Sequence, residues 1–394
     1  MKLKLLDHAR DLSADLVALR RDLHRHPELS FEETRTAAIC ARSMAELGLV
    51  VRTGVGLTGV VADLQNGDGP TVALRADMDA LPIQEVGDHG YLSTVEGVMH
   101  ACGHDAHTAG LVGAARLLVA ARERGELPPG TVRLLFQPSE EKADAEGKSG
   151  ATRMIEDGAM EGVDFVTGLH VGAHLPAGKL FVSEGEVMAG SEEIGVEVQG
   201  ESAHAARPNE GVDALTLAAQ GIVTIQQAVS RRIDPMESGV VTLGTIQGGR
   251  APNVLADLVR IEGTLRYFRA EVRDALIAAV RASFEMLERH GARVEVRIGP
   301  GYVPVVNHPD VSTTLERAFV ELVGEDAVLP MEPMMGAEDF AFLAREAPGC
   351  FYWLGAACPE PREHHHSRFD IDESVLPLGA ASLAIAAVSL LERG

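Results

Sequence analysis

Thr131-Val-Arg-Leu-Leu-Phe-Gln-Pro-Ser-Glu-Glu141 reads as an apolar strand over residues 131–137 with two adjacent carboxylates, Glu140 and Glu141, just past its end. Chemically loaded residues beyond strand ends are what an open α/β sheet presents, because such sheets place their ligands there. Consecutive residues of a strand point to opposite sides, so one carboxylate could hold a metal while its neighbour meets water as a general base. A Glu-Glu pair is equally at home on a solvated surface. His170 closes an apolar run at 165–170 in the same manner, where a lone histidine is ordinarily structural. Arg75-Ala-Asp-Met-Asp-Ala-Leu-Pro82 sets Asp77 and Asp79 directly after the run 71–76; an aspartate there either terminates the strand in a turn or orients a ligating histidine through its second nitrogen.

Outward from these strands the chain alternates. Helical spacing covers about 7–25, 32–47, 107–124 and 149–157, and strand-like runs cover 59–64, 71–76, 131–137 and 165–170. This is an α/β layer pattern. Between 191 and 299 the order becomes strand (194–199), helix (212–229), strand (239–247), strand (256–267), helix (270–290), strand (293–298). That β-α-β-β-α-β order is ferredoxin-like and long enough for a separate inserted domain. After Gly301 the α/β character returns, with a strand at 350–354 and an apolar stretch at 375–391. Gly379, Ser382, Ser389 and many alanines mark that stretch as a buried helix, and no membrane span is expected.

Met99-His-Ala-Cys-Gly-His-Asp-Ala-His-Thr108 packs His100, Cys102, His104, Asp105 and His107 into one short stretch. A thiolate beside imidazoles suits zinc and its neighbours, and Cys102 and His104 can serve one centre if the backbone kinks at Gly103. The internal run His364-His365-His366 offers one more distant ligand. The cysteines, at 40, 102, 350 and 358, are scattered, so no disulfide framework is expected, and Cys40 reads as a small buried hydrophobe in a helix. In the inserted region His204, Asn253 and Arg266 lie in loops or near strand ends, where substrate contacts are often placed.

The other class signals are negative. A net charge of −23 over 394 residues argues against nucleic acid, and the N-terminal stretch lacks the apolar core of a secretory signal, so a cytoplasmic protein is expected. Gly54-Val-Gly-Leu-Thr-Gly59 fits a dinucleotide fingerprint but is followed by strand-like sequence rather than a helix, and so reads as a hairpin-like turn. Neither G-x-S-x-G nor H-E-x-x-H occurs.

Taken together, the segments resemble the aminoacylase and carboxypeptidase family of two-metal amidohydrolases, in its hippurate hydrolase and auxin-conjugate hydrolase branch. The resemblance covers nearly the whole chain. It runs through His24-Arg-His-Pro-Glu-Leu-Ser-Phe-Glu-Glu33, 77–82, 99–108, 137–141, 168–171, 202–208, 251–255, 263–266, 335–340 and His366-Ser-Arg-Phe-Asp370. It implies an α/β fold in which a discontinuous catalytic domain with a central mixed sheet (1–188 and 301–394) carries an inserted ferredoxin-like (βαββαβ) dimerisation domain (189–300).

By the same resemblance, Cys102, His104, Glu141, His170 and a C-terminal histidine would hold two divalent metal ions: zinc, manganese, cobalt or nickel. Spacing to Phe369 favours His365, with His366 as the alternative. Glu140 would be the general base, and His204, supplied by the inserted domain of a partner subunit, would stabilise the oxyanion. Asn253 and Arg266 would hold the substrate carboxylate. Asp79 and His107 would support the ligands from behind, and Asp77 stands where the wider family has a ligand histidine. The implied activity is hydrolysis of the amide bond of N-acetyl or N-aroyl, hippurate-like amino acids by a homodimer; a dipeptidase or aminopeptidase of the same fold and a non-catalytic metal-binding protein are the alternatives. Lys142-Ala-Asp-Ala-Glu-Gly-Lys148 replaces a glycine-rich stretch, and Asn209 stands where relatives often have a second histidine.

Overall fold

Leucines and alanines at helical spacing build α1 (Lys2–Asp11), α2 (Ser13–Arg25) and α3 (Thr34–Glu46). The helix expected over 7–25 is two helices, offset where the Leu12 N–H bonds to Ala9 O only three residues back. The computed structural model describes residues 2–393. It divides into one unit made of the chain up to Val187, Val305–Glu332 and the chain from Asp339 onward, and a second made of Met188–Pro304 with Pro333–Glu338.

In the larger unit β1 (Val50–Val55) and β2 (Gly59–Asn66) pair antiparallel around Gly54 and Gly56, both in the left-handed region at φ +72° and +66°. The glycine-rich stretch therefore turns a hairpin and opens no helix. There follow β3 (Thr71–Asp77), α4 (His104–Glu123), β4 (Gly130–Gln137), α5 (Gly150–Glu156), β5 (Phe165–Gly172), β6 (Leu180–Phe181) and β7 (Gly185–Met188). β3 is buried at every position after Thr71, the mark of a strand covered on both faces.

The smaller unit comprises β8 (Gly190–Gln199), α6 (Ala214–Arg232), β9 (Gly239–Gly248), β10 (Leu258–Tyr267), α7 (Ala270–Glu285) and β11 (Arg293–Ile298). Its sheet is antiparallel in the order β11-β8-β10-β9, the ferredoxin-like arrangement. Ile194, Val196 and Val198 alternate inward along β8 to meet Leu217 and Ile225 of α6 and Leu276 and Phe284 of α7 in one core. Asp213 caps α6 by accepting from the N–H groups of Leu215 and Thr216. The unit reaches beyond 189–300 because Pro333–Glu338 joins it: the Ala189 N–H is shared between Met334 O and Gly336 O, and Arg266 donates to Met335 O.

The larger unit resumes with β12 (Val305–Asn307), α8 (Pro309–Val323), β13 (Val328–Leu329), α9 (Phe340–Glu346), β14 (Gly349–Gly355) and α10 (Leu376–Leu391). Its main sheet has the mixed order β1-β2-β4-β3-β5-β14-β6-β13, with β4, β3, β5 and β14 parallel. The apolar C-terminal stretch is a core helix. It is long and apolar enough to cross a membrane by composition, yet α10 is buried at every position and packs on α4, α8 and α1.

Two buried ionic groups lock the loops at the strand ends. The Arg75 guanidinium, fully buried, donates to Asp77 (2.6 Å), Asp339 (2.9 Å) and Gln137 (2.8 Å), joining β3, β4 and the start of α9. Glu33 accepts from the N–H groups of Phe31 and Ser139 and from the Thr58 hydroxyl, tethering the loop after β4. Burial, with Asp79 nearby, pushes the Glu33 carboxyl from 4.5 up to about 7. The native state therefore binds this proton more tightly than the unfolded chain, and its stabilising effect is lost as pH rises from about 4.5 through 7, by up to about 3 kcal/mol. Glu33→Gln should remove this slope. Urea midpoints compared between pH 5 and pH 8 should show wild type losing stability relative to the variant, and parallel profiles would refute the assignment.

Candidate metal centre

The parallel strands β3, β4 and β5 end side by side, and the loops beyond them carry most of the groups singled out in the sequence. Gly103, between Cys102 and His104, has φ +94°, and a Cβ there would stand 2.4 Å from Val171 Cγ2. Only glycine makes that turn at that closeness, so the kink needed to bring Cys102 and His104 to one point is present. α4 opens at His104, ahead of the expected 107, which puts His104 and His107 on neighbouring turns of one helix face.

Glu140 and Glu141 do not diverge as consecutive strand residues would. β4 stops at Gln137, Pro138 follows, and Ser139 adopts φ +45°. In that tight turn, oxygens of both carboxylates come within 4.8 Å of a His104 ring nitrogen and of each other.

Hydrogen bonds assign the histidine rings. His104 Nδ1 faces Asp79 O (2.9 Å) and Asp79 Oδ1 (3.2 Å), both acceptors, so Nδ1 carries hydrogen and Nε2 is turned into the site. His170 Nδ1 donates to Val171 O (2.8 Å), leaving Nε2 3.5 Å from Cys102 Sγ. His107 is used up: Nδ1 donates to Asp77 Oδ1 (2.6 Å) and Nε2 accepts the Val171 N–H (2.9 Å). It supports Asp77 and β5 and offers no free lone pair. Asp79 accepts in addition from Ser30 and from the Glu141 N–H.

The histidine run separates by backbone. His365 takes φ +63°, donates its N–H to Ala101 O, and sets Nε2 3.2 Å from Glu141 Oε1. His366 is exposed, and its Nδ1 accepts the Arg368 N–H. His364, to which the sequence reading gave no role, reaches Cys102: Nδ1 lies 3.7 Å from Sγ while Nε2 accepts the Ala173 N–H. Its Nδ1–H is thus a donor to the sulfur. Nothing in three successive histidines distinguishes them; the left-handed residue between them does.

The cluster carries a surplus of negative charge. Burial, then Glu141, Glu140 and Asp77, push the Cys102 thiol well up. Burial opposes protonation of His104, but Asp77, Asp79 and Glu141 outweigh it and push that ring up to about 10. Burial first, and then His107 and His364, hold His170 neutral, as a ligand requires. His104 Nε2 is buried with no hydrogen-bond partner. A thiol, imidazole Nε2 atoms and a carboxylate oxygen converging on one region fit divalent transition-metal ions.

His204, Asn253 and Arg266 belong to the smaller unit. The first two sit on neighbouring segments: His204 bridges Val254, and the Ala205 N–H bonds to Asn253 O. Arg266, half-buried, donates to Met335 O, and burial lowers its pKa; among the described residues no carboxylate pairs with it.

Residues 73–388 match the model of Peptidase family M20/M25/M40. The chain is 39% identical over 389 residues to the N-acetyl-L-cysteine deacetylase of Bacillus subtilis, covering 97% of this chain and 89% of that protein. It is 36% identical over 401 residues to IAA-amino acid hydrolase ILR1-like 2 of Arabidopsis thaliana, covering 99% and 88%. The crystal structure of the Bacillus subtilis YXEP protein, described as a dinuclear metal binding peptidase, superposes with TM-score 0.83 at 34% identity over 97% of this chain and 99% of that one. With the mixed sheet, the separate ferredoxin-like sheet and the convergent ligand atoms, these likenesses establish that the chain belongs to the M20 family and is a metal-dependent amidohydrolase acting on carbon–nitrogen bonds.

Proposed function

We propose that this chain releases the acyl group from N-acyl amino acids, N-acetyl or N-aroyl, leaving the free amino acid. The observation that carries the reading is Arg266: a half-buried guanidinium without a carboxylate partner among the described residues suits a substrate carboxylate, whereas Asn253 lies beyond the opposite end of β10 and could share that role only from another chain. Relatives named as a deacetylase of N-acetylcysteine and a hydrolase of an acylated amino acid support the same class.

In this reading Cys102, His104, Glu141, His170 and His365 hold two divalent ions, of which zinc, manganese, cobalt and nickel all suit the donor set. Such ions would polarise the amide carbonyl and acidify a water. Glu140, buried and within reach of the same point as Glu141, takes the proton from that water and delivers it to the departing amine. Glu141 is held for its role by its own N–H bonded to Asp79 and by the turn at Ser139. His204 donates to the developing oxyanion from the inserted domain of a partner subunit. Exposed Val223 and Leu215 on α6 and Ile246 on the edge strand β9 support a homodimer through that domain. A cytoplasmic location is part of the proposal.

A peptidase reading is favoured by the description of the YXEP structure and by two relatives from Saccharolobus solfataricus named as thermostable carboxypeptidases, each 37% identical. A panel of hippurate, N-acetyl amino acids and free dipeptides, assayed on protein reconstituted with each metal, decides between them. Cleavage of N-acyl substrates is expected, and cleavage of dipeptides only would overturn the reading.

Glu140→Gln should lower kcat by about 10²–10⁴-fold while metal content, read by mass spectrometry, stays at the wild-type level. Activity near wild type would remove Glu140 from proton transfer. Arg266→Met should raise KM for N-acyl amino acids by roughly 10–150-fold, the weight of a charged hydrogen bond, with little change toward the corresponding N-acyl amides. Equal effects on acid and amide would refute carboxylate recognition.

A further inference from the structure

A second group of ligating side chains lies in the larger unit and shares no residue with the centre above. His24 on α2, with Glu85 and His89 from the segment between β3 and α4, contributes one ligand atom each, all within 4.8 Å of one another. His24 Nε2 is 3.1 Å, and His89 Nε2 3.0 Å, from the same atom, Glu85 Oε1. Metal–ligand bonds of about 2.0–2.1 Å in a tetrahedron leave ligand atoms about 3.3 Å apart, so these atoms already stand close to coordination spacing.

Behind His24 and Glu85 the second polar atom is engaged as a metal site requires; His89 Nδ1 is buried without a partner. His24 Nδ1 lies 2.7 Å from Asp105 Oδ2, the carboxylate–imidazole arrangement that fixes Nε2 as the ligating nitrogen. The second oxygen of Glu85 accepts the Ser93 N–H at 2.6 Å. His89 stacks on Tyr91 with ring centroids 4.0 Å apart, which fixes the plane of its ring.

Charge supplies the second argument. The fully buried Arg20 faces Asp105 (2.9 Å), Asp370 (3.0 Å) and Glu373 (3.2 Å); Arg21 also pairs with Glu373, and Glu85 is a fourth carboxylate. Two guanidiniums thus meet four carboxylates. His100 lies tilted against His24 at 6.3 Å with both ring nitrogens unpartnered. The remaining two negative charges call for two imidazoliums, at His24 and His89, or for one divalent cation.

We propose that His24, Glu85 and His89 form a mononuclear site for zinc or a similar divalent transition metal, with Asp105 as the outer partner of His24. Two imidazoles and one carboxylate select such ions over magnesium and calcium, which prefer all-oxygen shells. His89, 23% exposed on its side chain, is the open side through which an ion enters. The ion would pin the 85–89 segment to α2 and, through Asp105, to the first turn of α4.

Full-length protein stripped with a chelator and reloaded with zinc tests this. Anomalous diffraction at the zinc edge should show a peak bounded by His24 Nε2, Glu85 Oε1 and His89 Nε2 once the Cys102 centre is filled. His89→Phe, which keeps the ring stacked on Tyr91, should bind one zinc fewer per chain than wild type and retain hydrolytic activity. No peak at that position at saturating zinc, or equal zinc content in wild type and His89→Phe, would show that protons alone balance the cluster and would overturn the proposal. Neither readout depends on which amide the enzyme cleaves.

Discussion

Arg75 is a full positive charge with no exposed surface, and it can exist at the end of β3 only because Asp77, Asp339 and Gln137 meet it there. Removing one partner of such a pair costs about 3–5 kcal/mol, so the three segments supplying those partners cannot drift independently. The effect passes onward. Asp77, which burial alone would protonate, is kept ionised by Arg75, His104 and His107, and it holds His107 Nδ1 while His107 Nε2 takes the Val171 N–H of β5. A continuous path of polar contacts thus runs from β4 through β3 to β5 directly beneath the metal-facing rings.

Above that path the polarity is reversed. Glu140, Glu141, Asp77 and Asp79 crowd around Cys102 and His104 and push the thiol and the ring toward their protonated forms. The underside is satisfied by paired charges and hydrogen bonds, whereas the upper side concentrates carboxylates. The His104 and His170 rings are already turned by acceptors behind them, so an ion can be met there without the surrounding strands moving.

The layer pattern and the inserted β-α-β-β-α-β unit were legible because period and order are written in local apolar spacing. The short turn at Leu12 was not, because helical spacing continues straight across it. Segment 333–338 escaped for a different reason: it joins the smaller unit by backbone hydrogen bonds, which leave no mark on residue type. At the site, Gly103 announced its kink, since only glycine fits there. The Glu140–Glu141 geometry was misread as that of a strand because the turn at Ser139 depends on Glu33, more than a hundred residues earlier in the chain. His364 and the Arg75–Asp339 pair lay beyond sequence patterning altogether, one hidden within a run of identical residues and the other spanning distant segments.

The buried α10 bears on the order in which the molecule is made. The smaller unit encloses its own core within an almost continuous stretch, Met188–Pro304, whereas the larger one lacks its central helix until residue 391 has been synthesised. On the ribosome the inserted domain can close first while α4, β3 and β5 still expose the apolar faces that α10 will cover. Chaperone demand during translation should therefore fall on the larger unit, and a ribosome stalled anywhere before α10 would display that unit as an open, adhesive surface beside an already folded neighbour.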